Sequence, residues 1–258
     1  MTISTSIERR VGTITLNRPE ARNALTAAML AEFEQAVVDF DHDDAIGAII
    51  LTGADPAFCA GLDLKDLTNT YNGIGVGAER PKVSRRGLSV ERSTPMLGAI
   101  NGPAVTGGLE LALGCDFLIG SHRATFADTH ARVGILPGGG MTIRLPELIG
   151  INRARQLSFT GAFIDAGTAC EWGLLNEVVP HGALLTRAME LATQIAETNP
   201  STLAALRSLY AELAGRTDDE AYREEGRASR KWMSEKFDAR VFDRQRQDLI
   251  ERGSKQQR

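Results

Sequence analysis

The stretch Met96–Leu113, MLGAINGPAVTGGLELAL, decides how this chain folds. Met96 to Asn101 is a short apolar run closed by Gly102-Pro103, the pattern of a buried strand. The loop through Gly107-Gly108 then opens Leu109 to Leu113, which reads as a helix. The same order occurs upstream. There Ile46–Thr52 reads as a buried strand, Gly53–Gly61 as a glycine-bearing loop and Leu62–Leu67 as a helix. It occurs again downstream. Phe117–Gly120 and Ala124–Ala127 read as short strands leading into Gly134–Gly140 and a helix beginning near Met141. Three such units bury one another's faces, at spacings too irregular for a regular solenoid.

The flanking segments extend this pattern. Ile3–Glu8 and Val11–Asn17 alternate apolar and polar residues at period two, and Arg9-Arg10 lies between them, so a hairpin is expected. Thr26 is placed to cap a helix whose apolar face is Met29, Leu30, Phe33, Val37 and Phe40. Asn69–Arg92 is polar, glycine-rich and without period, and it is expected to border a ligand. Beyond Asn152 the pattern becomes helical: Arg153–Phe159, Ala166–Trp172, Ala183–Glu197, Thr202–Leu213, Glu220–Ser234 and Ala239–Glu251.

Composition narrows the function. The 258 residues are 43% hydrophobic and 24% charged, enough to bury a full core without staples. A net charge of -4 gives no argument for a nucleic-acid or anionic-membrane partner. The N-terminal residues lack a signal-type apolar run, and no stretch is long enough to span a membrane, so a cytoplasmic enzyme is expected. Cys59, Cys115 and Cys170 are widely spaced with no C-x-x-C, so they read as buried reduced thiols. No metal is expected, and His42, His122 and His181 lie in polar contexts that read as surface. Asn72–Ala78 holds a nominal G-x-G-x-x-A, but no strand precedes it, so no dinucleotide site is expected there.

Two glycine loops, Phe58–Leu62 and Thr106–Gly108, say more. Each is expected to present backbone N–H groups at a helix start, and glycine lets a ligand approach the backbone closely. Two N–H groups converging on one carbonyl oxygen make an oxyanion hole. Glu110 follows within the first turn of the second helix, in reach of whatever carbonyl the hole holds. Taken alone, such a glutamate more often complements the helix dipole than catalyses. The Gly138-Gly139-Gly140 run reads as a tight turn with no chemistry of its own.

The order and spacing of several stretches resemble the crotonase, or enoyl-CoA hydratase/isomerase, superfamily. They are Leu16–Leu25 (LNRPEARNAL), Ala57–Leu64 (AFCAGLDL), Ala99–Leu113 (AINGPAVTGGLELAL), Cys115-Asp116, Gly134–Gly138 (GILPG), Arg144-Leu145-Pro146 and Gly173–Val179 (GLLNEVV). The resemblance covers nearly the whole chain. It implies an α/β fold: a ββα spiral core over 1–195 that binds acyl-CoA, and a C-terminal helical trimerisation region over 196–258. It implies a homotrimer or a hexamer built as a dimer of trimers, with fatty-acid breakdown as the expected setting. It implies no metal and no cofactor beyond the coenzyme A of the substrate.

By motif position the resemblance assigns the oxyanion-hole amides to Leu62 and Gly107. It assigns the coenzyme A groove to Arg22–Ala24 and Ala60–Leu64, hence Arg22, Ala24, Ala60, Gly61, Asp63 and Leu64. C-terminal basic residues are expected to meet the coenzyme A phosphates. Hydratases of the family position one water between two glutamates. The first corresponds to Glu110. Where the second would stand, this chain has His130. An imidazole moves protons near neutral pH but is not a carboxylate. If Asp128–His130 is extended, the two side chains point to one side and Asp128 orients the ring; in a helix they diverge. The activities that follow are hydration of a 2-enoyl-CoA by a lyase, another crotonase reaction (isomerisation, thioester hydrolysis or C–C cleavage), or acyl-CoA binding with little turnover.

Overall fold

The computed structural model describes residues 1–63, 88 and 90–236. The chain forms two compact units, Met1–Ala204 and Ala205–Arg258.

In the first unit, β1 (Ile3–Glu8) and β2 (Val11–Leu16) form the expected antiparallel hairpin. Parallel strands then extend the sheet: β3 (Ala48–Gly53), β4 (Met96–Ile100), β6 (Phe117–Ser121) and β9 (Glu177–Val179), in the order β1-β2-β3-β4-β6-β9. A smaller sheet joins β5 (Ala104–Val105), β7 (Thr125–Ala127) and β8 (Ile164–Asp165). Strand β8 was not expected, because two residues carry no readable period.

Strands β3, β4 and β6 are buried on both faces, and the side chains of β3 and β4 divide by period two. Ile49, Leu51, Met96 and Ile100 face a core with Met29, Phe33 and Val37 of α1 (Ala27–Asp41). Thr26 caps that helix as expected, its hydroxyl accepting from Met29 N at 3.2 Å. Ala48, Ile50, Leu97 and Ala99 face the other way, toward Leu184, Ala188, Ala192 and Ala196 of α6 (Leu184–Ala196). The four-residue spacing of small side chains lets α6 lie close to the sheet.

The first of these cores also takes side chains from α2 (Gly107–Leu113), α3 (Met141–Ile149), α4 (Ile151–Thr160) and α5 (Ala166–Glu171). Helix α7 (Pro200–Leu213) contains Ala205, and α8 (Asp218–Glu235) begins with a Thr217–Glu220 capping box. Among the described residues no helix is long and apolar enough to cross a membrane. The expected helix over Ala239–Glu251 and the polar segment through Asn72–Ala78 lie outside the described residues. So does all of the expected Leu62–Leu67 helix beyond Asp63. Leu62 itself is not helical: it forms an isolated parallel bridge with Leu25.

Candidate active site

Helix α2 is buried along its whole length, so Glu110 enters the interior with a carboxylate that is 6% exposed. Its Oε1 accepts from Gly139 N at 2.6 Å and from Met141 N at 3.4 Å. Burial pushes the Glu110 carboxyl above its ordinary value, against the Gly139 hydrogen bond and the nearby His130 ring. The glycine run turns the chain as expected and also holds the Glu110 side chain. Gly139 supplies the amide that holds Glu110, and a Cβ there would lie 2.8 Å from Glu110 Cδ and Oε2. Gly140, at φ 106°, then turns the chain into α3.

His130 arrives from the other side. Strand β7 ends at Ala127, Thr129 (φ -102°, ψ 11°) bends the chain, and His130–Val133 forms one 3-10 turn. The Asp128 carboxylate spans that bend. Its Oδ1 accepts from His130 N at 3.2 Å and lies 2.6 Å from His130 Nδ1. Its Oδ2 accepts from the Ser158 hydroxyl of α4 at 2.5 Å. Extended backbone was the stated condition for this pairing, and the structure corrects it. An aspartate whose side chain accepts the amide two residues on brings its carboxylate back over the turn, so the pair forms without a strand. Burial pushes the Asp128 carboxyl up, but hydrogen bonds from the His130 ring, Ser158 and the His130 amide outweigh it and hold the group below its ordinary value.

The two groups meet. His130 Nε2 lies 3.7 Å from Glu110 Oε2, with side chains 4% and 6% exposed. That is too far for a direct hydrogen bond and close enough for both to contact one oxygen atom.

The two sequence-assigned amides lie on neighbouring segments. Leu25 N donates to Gly61 O at 2.7 Å, and Asp63 N donates to Leu25 O at 2.9 Å. In a parallel bridge the residue between those two partners points its own N–H the opposite way, so Leu62 N–H faces away from Leu25. Gly107 is the first residue of α2, where a helix uses no N–H of its own. The two segments touch: a Cβ on Gly61 would lie 3.7 Å from Gly107 N, and one on Gly107 would lie 3.6 Å from Leu62 Cγ. A Cβ on Gly108 would collide with the Cys59 carbonyl, which explains the glycine there. Thr106, just before, has φ 52° and ψ -112°, a strained conformation for a β-branched residue. Its hydroxyl pairs with the Thr129 hydroxyl at 2.5 Å, tying the start of α2 to the His130 turn.

Of the groove residues, Arg22, Ala24, Ala60, Gly61 and Asp63 lie on two joined loops, and Leu64 lies outside the described residues. Ala60 N donates to Arg22 O at 3.0 Å. Arg18 donates to Ala24 O at 2.6 Å and pairs with Asp63 at 3.0 Å. Asn23, fully buried at φ 56°, fastens the assembly: its amide nitrogen donates to Ala54 O and Ala57 O at 2.8 and 2.7 Å. Of the histidines read as surface residues, His42 and His122 are exposed. His181 is instead half-buried, pairing with Asp55 at 2.9 Å. Sequence reasoning also missed Ser158, Gly139, Thr129 and the role of Asn23. Only the Asn23 position, inside a quoted motif, offered a signal.

The twin sheets, the buried glutamate at the head of α2 and the helical C-terminal region define an α/β protein of the crotonase fold. Residues 6–250 match the family model described as enoyl-CoA hydratase/isomerase. A probable peroxisomal enoyl-CoA hydratase of Arabidopsis thaliana is 38% identical over 200 residues, 77% of this chain and 74% of that protein. A short-chain-enoyl-CoA hydratase of Clostridium acetobutylicum is 39% identical over 196 residues, 75% of this chain and 74% of that protein. The crystal structure of an enoyl-CoA hydratase from Mycobacterium tuberculosis H37Rv superposes with a TM-score of 0.75 at 44% identity, covering 89% of this chain and 98% of that one. One from Bacillus anthracis superposes with a TM-score of 0.80 at 32% identity, covering 92% of each. The chain belongs to the enoyl-CoA hydratase/isomerase family.

Proposed function

We propose that this protein is an enoyl-CoA hydratase in which a histidine and a glutamate divide the work of two glutamates. The Leu62 and Gly107 amides polarise the thioester carbonyl of a 2-enoyl-CoA. The coenzyme A moiety lies along Arg22–Ala24 and Ala60–Leu64. His130 Nε2 takes a proton from water as its oxygen bonds to Cβ, and the electron pair of the double bond moves onto the thioester as an enolate. Glu110 gives its proton to Cα. The imidazolium proton then returns to Glu110, and both groups are reset. No cofactor is needed beyond the coenzyme A of the substrate. The protein acts in the cytoplasm as a homotrimer or hexamer, with 1–195 as the acyl-CoA-binding core and 196–258 as the trimerisation region.

One observation carries this reading: Glu110 and His130 face each other at 3.7 Å in a buried site where burial favours a protonated Glu110. A protonated carboxyl and a ring nitrogen that can both contact one water oxygen are the acid and the base that addition of water across a double bond needs. The test is loss of the conjugated thioester absorbance of crotonyl-CoA, in wild type and in Glu110→Gln. Rapid loss is expected in wild type, and a fall of about 10²–10⁴-fold in the variant, the usual worth of a positioned acid or base. A wild type without turnover, or a variant with the wild-type rate, overturns the reading.

A further inference from the structure

Asp128 sits behind His130 and is held from two directions. Its side chain is 1% exposed. Oδ1 takes both His130 contacts, from the backbone N–H and from ring Nδ1. Oδ2 takes the Ser158 hydroxyl. Ser158 lies 30 residues further along the chain, on α4. A second contact joins the same elements, since Arg132 donates from the His130 turn to Thr160 O at the end of α4 at 2.8 Å. The turn bearing His130 is thus fastened to α4 at both ends.

We propose that Asp128 and Ser158 are positioning residues that fix His130 with its proton on Nδ1 and its lone pair on Nε2, facing Glu110. This rests on the reading of His130 as the base of the hydration. A carboxylate offers only lone pairs, so the ring nitrogen it faces must carry the hydrogen. Its Oδ1 is already committed as an acceptor to the His130 backbone N–H, so the carboxylate stays aligned with the ring. Oδ2 is buried and needs a donor of its own; Ser158 supplies it, and the carboxylate stays ionised. Among the described residues, two carboxylates lie within 4 Å of the ring nitrogens: Asp128 behind Nδ1 and Glu110 beyond Nε2. The Arg132 guanidinium is turned away to Thr160 O. The arrangement gives the site a base whose lone pair points in one direction only.

The half-buried His181 and its partner Asp55 show what such a pair lacks when it is not so placed. His181 lies between the Asp55 carboxylate and the Ser121 hydroxyl, and that hydroxyl is buried and donates to Asn101 O at 2.9 Å. Among the described residues no second carboxylate lies within 4 Å of the His181 ring, so that pair serves as the control.

The experiment uses the full chain with ¹⁵N-labelled histidine. The His130 ring signals are identified by their loss in His130→Asn. At pH 8 the wild type is expected to show a protonated Nδ1 and an unprotonated Nε2. Asp128→Ala is expected to move the proton to Nε2. Asp128→Asn is expected to keep it on Nδ1, because the backbone N–H holds the amide oxygen at the Oδ1 position. In crotonyl-CoA turnover, Ser158→Ala is expected to lower kcat about 10-fold, the worth of one charge-assisted hydrogen bond, with KM within about 2-fold. Ser158→Thr, which keeps the hydroxyl, is expected to restore it, and Asp55→Asn to leave kcat and the His130 signals unchanged.

With ¹³C-labelled aspartate, Ser158→Ala is expected to move Asp128 protonation to higher pH. A wild-type His130 with its proton on Nε2, an Asp128→Ala spectrum like wild type, or an unmoved Asp128 titration in Ser158→Ala overturns the proposal. If the wild type fails to hydrate crotonyl-CoA, the functional reading falls, and the spectra still decide the tautomer and the Ser158 contact.

Discussion

His130 Nε2 and Glu110 Oε2 lie 3.7 Å apart, and each is fixed from behind by a different element. Glu110 is held by the Gly139 amide at the entry to α3, and His130 by Asp128, itself held by α4. Both supports converge on the helices that follow the glycine run. The spacing of the two side chains is therefore set by packing between segments, and several consequences can be measured.

Glu110 is kept at a cost in stability. Its folded value lies above the ordinary 4.5, so the native state holds the proton more tightly than the unfolded chain. That contribution is present in full below the ordinary value and is lost as pH rises through the folded one. Glu110→Gln keeps an oxygen for the Gly139 amide, offers an N–H toward His130 Nε2 and does not titrate. Thermal melts at pH 4.5 and pH 8 are expected to show the variant gaining on wild type at the higher pH. A difference that stays constant with pH defeats this account.

Gly139→Ala places a methyl carbon 2.8 Å from Glu110 Cδ and from Leu88 Cγ. Neither neighbour can give way freely, since Glu110 is buried and Leu88 N is bonded to Gly139 O at 2.9 Å. The expected result is about 1–3 kcal/mol of destabilisation by urea titration. Turnover should fall further than stability alone explains, because the displaced carboxyl is the proposed acid. Gly138→Ala, which meets nothing within 4 Å, is the matched control and should melt near wild type.

Much of the fold was legible because it is written in local pattern. The hairpin, α1 with its Thr26 cap, and strands β3, β4 and β6 appear within two residues of where period and turn residues place them. Strand β8, two residues long, has no pattern to read. Glu110 was visible as a residue type at a motif position, and His130 as a departure from the motif. Their supports were not visible. Gly139 acts through an amide that any residue possesses, and Ser158 meets Asp128 across 30 residues by tertiary packing. The Asp128–His130 pairing was conceived on the wrong backbone: the carboxylate folds back over a turn, a geometry that period-two reasoning does not contain.

Asn23 fastens the proposed coenzyme A loops through a side chain that is itself committed to backbone groups. Its amide nitrogen donates to Ala54 O and Ala57 O, and its oxygen accepts from Arg18 N at 2.9 Å. Asn23→Ala leaves these backbone groups without their partner, at about 1–3 kcal/mol for each that stays buried. It also forces alanine into φ 56°, where asparagine is better tolerated. A lower urea midpoint and a raised KM for crotonyl-CoA are expected, with kcat changed less than KM. A variant that lowers kcat at unchanged KM would show that Asn23 acts on the acid–base pair instead.

Restoring the family's second glutamate is expected to fail alone. In His130→Glu the new carboxylate stands where Nδ1 was 2.6 Å from Asp128 Oδ1 and Nε2 was 3.7 Å from Glu110 Oε2. Three buried carboxyls then share one space, and like charges disfavour one another's ionised forms. The single variant should melt below wild type at pH 8 and hydrate crotonyl-CoA poorly. Adding Asp128→Asn removes one charge while keeping an amide oxygen for the backbone N–H of residue 130. The double variant should recover both stability and turnover relative to His130→Glu, although Asp128→Asn alone weakens the wild type. The interaction energy across the four proteins is expected at about 0.5–3 kcal/mol, as for residues in direct contact. Additive effects would mean that residue 128 does not act through residue 130, and the coupling between Asp128 and the proposed base would have to be abandoned.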